Sequence, residues 1–255
     1  MAIMVQAPSR RDRVRAATTQ EIIQTARKLL VQDGPEAVSL RAIAREMGMT
    51  APALYRYFGS HEELLRHVVA DIFTDLASHV RAAVHAVAAE PTAEVTAEVM
   101  AAKLIAGCRE FRAWTLTHVP EFSMIFGSPL PGLEYLHEVT HDPSVDCGYQ
   151  FGQVFLDLFG ELYRRRPFKI PSDAEMDQRM RAQLARYREL TGTDLPLGAL
   201  QTFLRCWVLL YGSVSLEAFG HMKFAIDDAS PMFELMLTDL APMVGLEYPL
   251  PTRPA

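Results

Sequence analysis

Long uninterrupted apolar runs are missing from this sequence of 255 residues. No segment approaches the ~18 consecutive apolar residues that identify a membrane-spanning helix. The first twenty residues also lack the apolar core, with flanking basic and small residues, that marks a secretion signal. We therefore expect a soluble cytoplasmic protein that does not contact a membrane.

Cysteine is scarce, and motifs for catalysis are absent. Cys108, Cys147 and Cys206 lie far apart, without the paired spacing of a structural zinc site or of a disulfide framework. The sequence also contains no glycine-rich phosphate loop, no nucleophile–base pairing and no paired-carboxylate motif. These absences argue against an enzyme, and we expect neither a metal nor a cofactor.

Positive charge is concentrated near the N-terminus. Residues 1–66 hold 10 Lys/Arg and 7 Asp/Glu, a net charge of +3, whereas residues 67–255 carry a net charge of -9. A basic first quarter predicts that this end approaches a polyanion such as DNA. Four arginines fall within residues 1–17, which we interpret as a basic arm. Either this arm is merely solvated, or it follows the minor groove of DNA.

Helical patterns dominate the sequence and strand patterns are nearly absent, which predicts an all-α fold. Thr18 and Glu21 form a capping-box pattern that predicts the start of a first helix, which ends at Gly34 and Pro35. Residues 127–148 are rich in Gly, Pro, Asp and His and predict a long irregular loop. Three further residues have N-cap character and predict the starts of the next three helices: Ser39, Thr50 and Ser60.

Residues 39–58 combine a helix, a glycine turn and a second helix ending at Phe58. Ala44 is small where the two helices must cross closely, and Gly48 permits the positive φ of a tight turn. Met49 and Leu54 fill the angle between the helices. This is the spacing of a helix-turn-helix, whose second helix enters the DNA major groove.

The stretch SLRAIAREMGMTAPALYRYFGSHEELL resembles the DNA-binding segment of the tetracycline-repressor (TetR) family of bacterial transcriptional regulators. The resemblance implies a three-helix helix-turn-helix DNA-binding domain over residues 18–66. It also implies a C-terminal helical ligand-binding and dimerisation domain over residues 67–255. The segments FRAWTLTHVPEFSMIFG and WVLLYGSVSLEAFGHM are similar to a branch known largely from actinobacteria, in which a Trp and a Gly-His pair mark the C-terminal domain.

The resemblance also implies roles for individual residues in DNA binding. The exposed first turn of the recognition helix is expected to meet base edges and thymine methyl groups, whereas the neighbouring polar residues are expected to contact phosphates. His61 stands where the family usually has lysine, and histidine is a weaker, pH-dependent cation than lysine. The expected DNA-contacting residues are Ser39, Arg41, Thr50, Ala51, Pro52, Tyr55, Arg56, Tyr57 and His61.

Aromatic residues are plentiful in the C-terminal part of the chain. Taken singly, each is expected in the hydrophobic core, but as a group they can line an apolar pocket between helices. Polar residues beside them would orient a small ligand. The pocket candidates are Arg109, Phe111, Trp114, His118, Phe122, Phe126, Phe151, Phe155, Trp207 and Tyr211.

The last two predicted helices are apolar on most of their faces, which predicts burial on most of their faces. In a two-fold dimer, the pair from each chain would form a four-helix bundle. A thick monomer core is the alternative. The dimer-interface candidates are Leu200, Leu204, Leu210, Val214, Leu235, Met236 and Leu240.

These patterns favour a homodimeric, ligand-responsive repressor that binds a palindromic operator. Its partners would be double-stranded DNA, a second copy of the chain and a small apolar effector. The long helix that begins after Ser60 would link the effector site to the DNA-binding head. Two alternatives stay open at this point: a DNA-binding regulator without a functional pocket, and a helical small-molecule carrier or enzyme.

Overall fold

The structure, a computed structural model, describes residues 9–87, 96–127 and 143–248. Within these residues all regular structure is helical, which confirms the all-α prediction. Two short 3-10 turns, Pro35–Ala37 and Ala241–Val244, accompany the α-helices. The α-helices of the described residues are α1 (Arg10–Asp33), α2 (Leu40–Glu46), α3 (Ala51–Leu54), α4 (His61–Ala86), α5 (Ala97–Thr117), α6 (Val119–Phe126), α7 (Pro143–Arg165), α8 (Gln178–Thr191), α9 (Leu197–Ala218) and α10 (Ser230–Leu240).

The first helix begins earlier than its sequence pattern predicts. The Ser9 hydroxyl accepts the Asp12 N–H and the Asp12 carboxylate accepts the Ser9 N–H, which completes a capping box. The predicted start at Thr18 is therefore wrong, because a better-formed cap lies nine residues upstream. Residues 10–17 of the expected arm are the first turns of α1, and residues 1–8 lie outside the described residues.

Helices α1 to α3 pack around a small apolar core. Ile22, Ala26 and Ile43 are completely buried in it, as is Leu54. Ser39 caps α2 as expected, because its hydroxyl accepts the Ala42 N–H at 3.2 Å. This core belongs to a first compact unit that contains residues up to Asp75 and residues 120–149.

Arg27 joins three helices of this unit. Its guanidinium lies 2.9 Å from the Asp71 carboxylate, 3.2 Å from that of Asp75 and 3.7 Å from that of Glu121. Desolvation opposes the charge of Arg27, but hydrogen bonds to Asp71 and Asp75 outweigh it and raise the arginine pKa. The guanidinium thus holds α1 against α4 and α6 of the same unit.

Part of the expected irregular loop is helical, since α7 already begins at Pro143. The rest of that prediction, residues 128–142, falls outside the described residues. The first unit also contains an aromatic contact between α6 and α4, in which Phe126 lies 5.1 Å from Phe122 and meets Phe73 edge-on at 5.5 Å.

The second compact unit contains residues 76–119 and residues from 150 onward. Its central helix, α9, packs against α5, α8 and α10. Among the described helices, α9 alone is long and apolar enough to cross a membrane by length and composition, a test that core helices also pass. The predicted domain boundary after residue 66 stays a prediction, because the two compact units divide the chain at other positions.

Candidate nucleic-acid interface

The turn between α2 and α3 is built on Gly48, which has φ of +64°. The Met49 N–H donates to the Ala44 carbonyl at 2.8 Å and the Gly48 N–H donates to the Arg45 carbonyl at 3.3 Å. These two bonds define a Schellman motif, which needs a left-handed residue directly after the helix. The glycine turn predicted from the sequence therefore sets the direction in which α3 leaves α2.

Helix α3 is shorter than predicted, because its regular part ends at Leu54 instead of Phe58. Turn hydrogen bonds continue beyond it, with the N–H groups of Tyr57 and Phe58 both donating to the Leu54 carbonyl. Leu54 and Phe58 are fully buried, so these two residues fix the whole segment to the core. Thr50 occupies the N-cap position but makes no cap hydrogen bond.

Every expected DNA-contacting residue has a side chain at the surface of the first unit. Three of them are half-buried, namely Ser39, Ala51 and Tyr57. The others are exposed: Arg41, Thr50, Pro52, Tyr55, Arg56 and His61. Residues of α2, α3 and the start of α4 thus have side chains that solvent can reach. The role of each residue in DNA binding stays a prediction.

Arg15 supports this segment, although the sequence patterns did not single it out. Its guanidinium donates to the Arg56 carbonyl at 2.9 Å and lies 5.2 Å from the centre of the Tyr57 ring. A cation above an aromatic face is attracted by the ring quadrupole. The arginine-rich start of the chain is the sequence feature that could have indicated this contact. The contact could not be predicted, because it requires that α1 begin before residue 15.

His61 has a structural partner at the start of α4. Its Nε2 lies 2.6 Å from the Val38 carbonyl, and because a carbonyl only accepts, the ring nitrogen donates. Ser60 caps the same helix as predicted, accepting the Glu63 N–H at 3.1 Å. Glu63 in turn accepts the Gly59 N–H at 2.7 Å. The histidine therefore ties α4 to the segment just before α2.

The expected pocket residues are divided among separate groups instead of lining one site. Phe122 and Phe126 belong to the first unit. His118 stacks on Trp114 at 4.6 Å, and Arg109 forms an ion pair with Glu234 at 3.0 Å. The remaining members form an aromatic cluster with ring centres 5.7 to 6.4 Å apart: Phe111, Phe151, Phe155, Trp207 and Tyr211.

The second unit contains a cavity of about 100 Å³ next to this aromatic cluster. A smaller hollow of about 50 Å³ shares several lining residues with it, including Leu104, Cys108 and Cys206. Of the predicted pocket residues, only Phe155 and Trp207 line the smaller hollow. The sequence patterns missed the thiols and aliphatic side chains that line the larger cavity, because neither carries a distinctive spacing.

Burial keeps both thiols of this cavity protonated. Desolvation raises the pKa of Cys108 to about 12, and the neighbouring Cys206 thiol adds to the shift. Desolvation likewise raises the pKa of Cys206 to about 11. Neutral thiols behave as small apolar groups, so the cavity wall is uncharged where these residues lie.

The dimer candidates occupy two different environments. Leu200, Leu210, Val214 and Leu240 are buried within the single chain, and their place in a dimer interface stays a prediction. Leu235 is 48% exposed, whereas Leu204 and Met236 are half-buried. The outer side of α9 and α10 instead presents other apolar residues that are at least one third exposed: Val208, Leu209, Leu216, Phe219 and Met232.

Comparison with known proteins agrees with the helix-turn-helix geometry. Residues 22–68 match the model of the tetR family of bacterial regulatory proteins. Residues 104–240, more than half of the chain, match the tetracyclin repressor-like C-terminal domain. The chain belongs to the tetracycline-repressor (TetR) family.

Relatives of this TetR-family chain are regulators. The HTH-type transcriptional regulator Rv1816 of Mycobacterium tuberculosis (strain H37Rv) is 28% identical over 211 residues, covering 83% of this chain and 84% of the relative. The crystal structure of the regulatory protein SCO4313 has 29% identity and a TM-score of 0.67, covering 91% of this chain and 98% of its own. A tetR-family transcriptional regulator from Streptomyces coelicolor shares the fold, with 17% identity and a TM-score of 0.55. The match covers 89% of this chain and 80% of the Streptomyces protein.

The chain is therefore a helix-turn-helix transcriptional regulator that binds DNA. Dimerisation and release by a ligand are typical of the TetR family. Its matched domains and relatives are regulators and not enzymes. Among the described residues, no group of three or more His, Cys, Asp or Glu side chains is arranged to hold a metal ion.

Proposed function

We propose that this TetR-family regulator is a homodimeric repressor, which a small apolar ligand releases from a palindromic operator. The observation that carries the proposal is the surface of segment 50–57, where Thr50, Pro52, Tyr55 and Arg56 are exposed while the buried side chains of Leu54 and Phe58 anchor the segment to the core. The Schellman turn at Gly48 and the Arg15 contact hold this segment from opposite ends. A preorganised surface of this kind loses little conformational freedom when it docks on DNA.

Small residues would read the bases in this complex. Thr50, Ala51 and Pro52 form the first turn of α3, where apolar contact with thymine methyl groups suits their size. Tyr55 and Tyr57 carry hydroxyl groups that can donate to phosphate oxygens, which positions the protein without reading sequence. The structure supports these roles through the exposure of Thr50 and Pro52 and the 54% exposure of Tyr55.

The direct test is a genomic selection for bound DNA, followed by footprinting and salt titration on the fragments recovered. A dimer that places one α3 in each of two successive major grooves should protect two half-sites one helical turn apart, ~34 Å. Affinity should fall steeply with salt concentration, because phosphate contacts release counterions. Absence of sequence-specific, salt-sensitive binding to any genomic fragment would overturn the proposal.

The exposed apolar side of α9 and α10 is our candidate for the surface that joins two chains. Val208 is 66% exposed and Leu216 is 46% exposed on α9, while Leu235 is 48% exposed on α10. Two such helices from each chain would form the expected four-helix bundle. Leu216→Glu should therefore shift the sedimentation coefficient from dimer to monomer. Val31→Glu is the matched control, because Val31 is 50% exposed on α1, outside this surface.

Ligand release requires that the effector bind two conformers of the dimer with different affinity. The uninterrupted helix α4, from His61 to Ala86, is our candidate for the element that communicates the difference. The dense packing of Phe111, Phe151 and Phe155 favours a second candidate, a regulator without a functional pocket. Native mass spectrometry and thermal shift across a lipophilic library separate the two, since only the first predicts a retained or stabilising ligand.

We also propose that the protein acts in the cytoplasm and belongs to the actinobacterial branch marked by a Trp and a Gly-His pair. Relatives from Mycobacterium and Streptomyces support the branch. Gly220 and His221 follow Phe219, the C-cap of α9, and Gly220 has φ of +70°, which the residue after a helix C-cap favours. A tree built from many family members, with this chain outside the marked branch, would contradict the assignment.

A further inference from the structure

The cavity in the second unit has a wall made almost entirely of apolar groups. Among its lining side chains, only those of Glu247 and Tyr248 are polar apart from the two thiols. Both belong to the segment that follows the last 3-10 turn, so one side of the cavity is polar and the other sides are not. The apolar wall consists of Ala101, Leu104, Ile105, Phe159, Leu237, Leu240, Ala241, Val244 and Leu246.

The volume suits a very small molecule. An apolar cavity of about 150 Å³ stays dry and accepts benzene. The cavity here is about 100 Å³, and the adjoining hollow of about 50 Å³ lies beyond the shared residues Leu104, Cys108 and Cys206. One aromatic ring or a short alkyl chain therefore matches the space between α5, α9 and α10.

The polar side is organised by a hydrogen-bonded triad. The Arg109 guanidinium donates to the Tyr248 hydroxyl at 2.6 Å and forms a bidentate pair with the Glu234 carboxylate. The Tyr248 hydroxyl in turn donates to Glu234. Desolvation and the hydrogen bond to Glu234 raise the pKa of Tyr248 to about 12, so the phenol stays protonated.

Charge at this rim selects against an anion. Arg109 is the cation of this triad, and the Glu234 carboxylate already balances its charge. Glu247 adds a further negative charge to the lining. A carboxylate ligand would lose part of its hydration against the apolar wall and meet no unpaired cation in exchange, which is costly.

We propose that this cavity binds a neutral molecule about the size of one aromatic ring, with a single hydrogen-bonding group directed at Tyr248. The proposal deepens the effector step described above and rests on that proposed function for its effect on DNA. The proposed site differs from the aromatic pocket expected from the sequence. The expected aromatic residues pack against one another, whereas mainly aliphatic and thiol side chains line the cavity.

The test uses the full-length protein with phenol and benzoate as probes, since the two share a ring but differ in charge at neutral pH. Alkylation of the three thiols by excess N-ethylmaleimide is followed by peptide mass spectrometry, at about pH 8.5 and over long reaction times, because the thiolate is the reacting form and burial keeps Cys108 and Cys206 protonated. Saturating phenol should slow the labelling of Cys108 and Cys206 at least fivefold, because both line the cavity. Cys147 is the internal control, since it lies in the first unit beside Thr74.

Two outcomes overturn the proposal: phenol that slows labelling of Cys108 and Cys206 no more than that of Cys147, or benzoate that protects as well as phenol. A second arm measures thermal stabilisation by phenol, which should be lost in Cys206→Leu because the added carbon atoms fill the cavity. Phenol that stabilises this folded variant as much as the native chain also counts against the site.

The DNA arm separates this inference from the repressor proposal. Sequence-specific DNA binding without thiol protection overturns the cavity site alone and leaves the repressor proposal intact. Thiol protection in a protein that binds no genomic fragment upholds the cavity site and overturns the repressor proposal. Protection together with a phenol-dependent loss of operator affinity supports both.

Discussion

Replacing His61 tests whether this residue holds the head together or contacts phosphate. Its Nε2 donates to the carbonyl of Val38, a residue that is only 2% exposed. His61→Ala removes the donor and leaves the carbonyl of this buried residue without its partner, which costs ~1 to 2 kcal/mol. Glutamine retains a neutral donor, so His61→Gln should cost less than about 0.5 kcal/mol.

The assay combines urea unfolding with operator binding over a range of salt concentrations. If His61 only ties α4 to Val38, neither the alanine nor the glutamine variant changes the slope of log affinity against log salt. His61→Lys adds a cation near the helix start and should steepen the slope by ~0.9 per protomer. The structural reasoning is refuted if His61→Ala keeps full stability while its salt slope becomes shallower by that amount.

Three further substitutions test an ion pair, a turn and a cation–aromatic contact. In the second unit, the Arg112 guanidinium on α5 donates two hydrogen bonds to the Glu217 carboxylate on α9. Arg112→Met should lower the free energy of unfolding, measured in urea, by about 2 to 4 kcal/mol. The substitution leaves the largely buried Glu217 carboxylate without its two short hydrogen bonds. Replacing both residues by apolar ones should recover part of that loss. Gly48→Ala should lower the free energy of unfolding by about 1 to 2 kcal/mol through the φ of +64° alone, since no atom lies within 4 Å of the added methyl group. Gly48→Asn should lower it less, because asparagine tolerates a positive φ. Equal stability of the two variants in urea contradicts this reasoning. Arg15→Gln should weaken operator binding roughly fivefold in fluorescence anisotropy, whereas Arg11→Gln, without the Tyr57 contact, serves as its control.

The DNA-binding head was predictable because its determinants are local. Ser39, Gly48 and Ser60 each act on the backbone within five residues of their own position, so a sequence pattern suffices to place them. The start of α1 was missed for the same local reason, since Thr18 and Glu21 offer a second capping-box pattern. Only the structure shows that the cap at Ser9 prevails.

The proposed cavity site and the proposed dimer surface were not predictable in this way. Phe111 and Phe151 fit a core as well as they fit a pocket, and packing between α5, α7 and α9 decides between the two. Helix α9 is apolar on most sides, so its sequence cannot indicate which side faces α5. In the fold Val214 turns inward and Val208 outward, although the two are the same residue type.

The Arg15 contact has a consequence for building hybrid regulators. Residues that match the family's DNA-binding region begin at Ile22, whereas Arg15 lies seven positions earlier and reaches across to Arg56 and Tyr57. A hybrid protein joined at Ile22 would contain the proposed DNA-contacting segment 50–57 but would lack Arg15, which contacts that segment. Exchanging operator specificity between this chain and another repressor therefore calls for a junction at or before Ser9, so that the transplanted helix retains both its cap and its arginine.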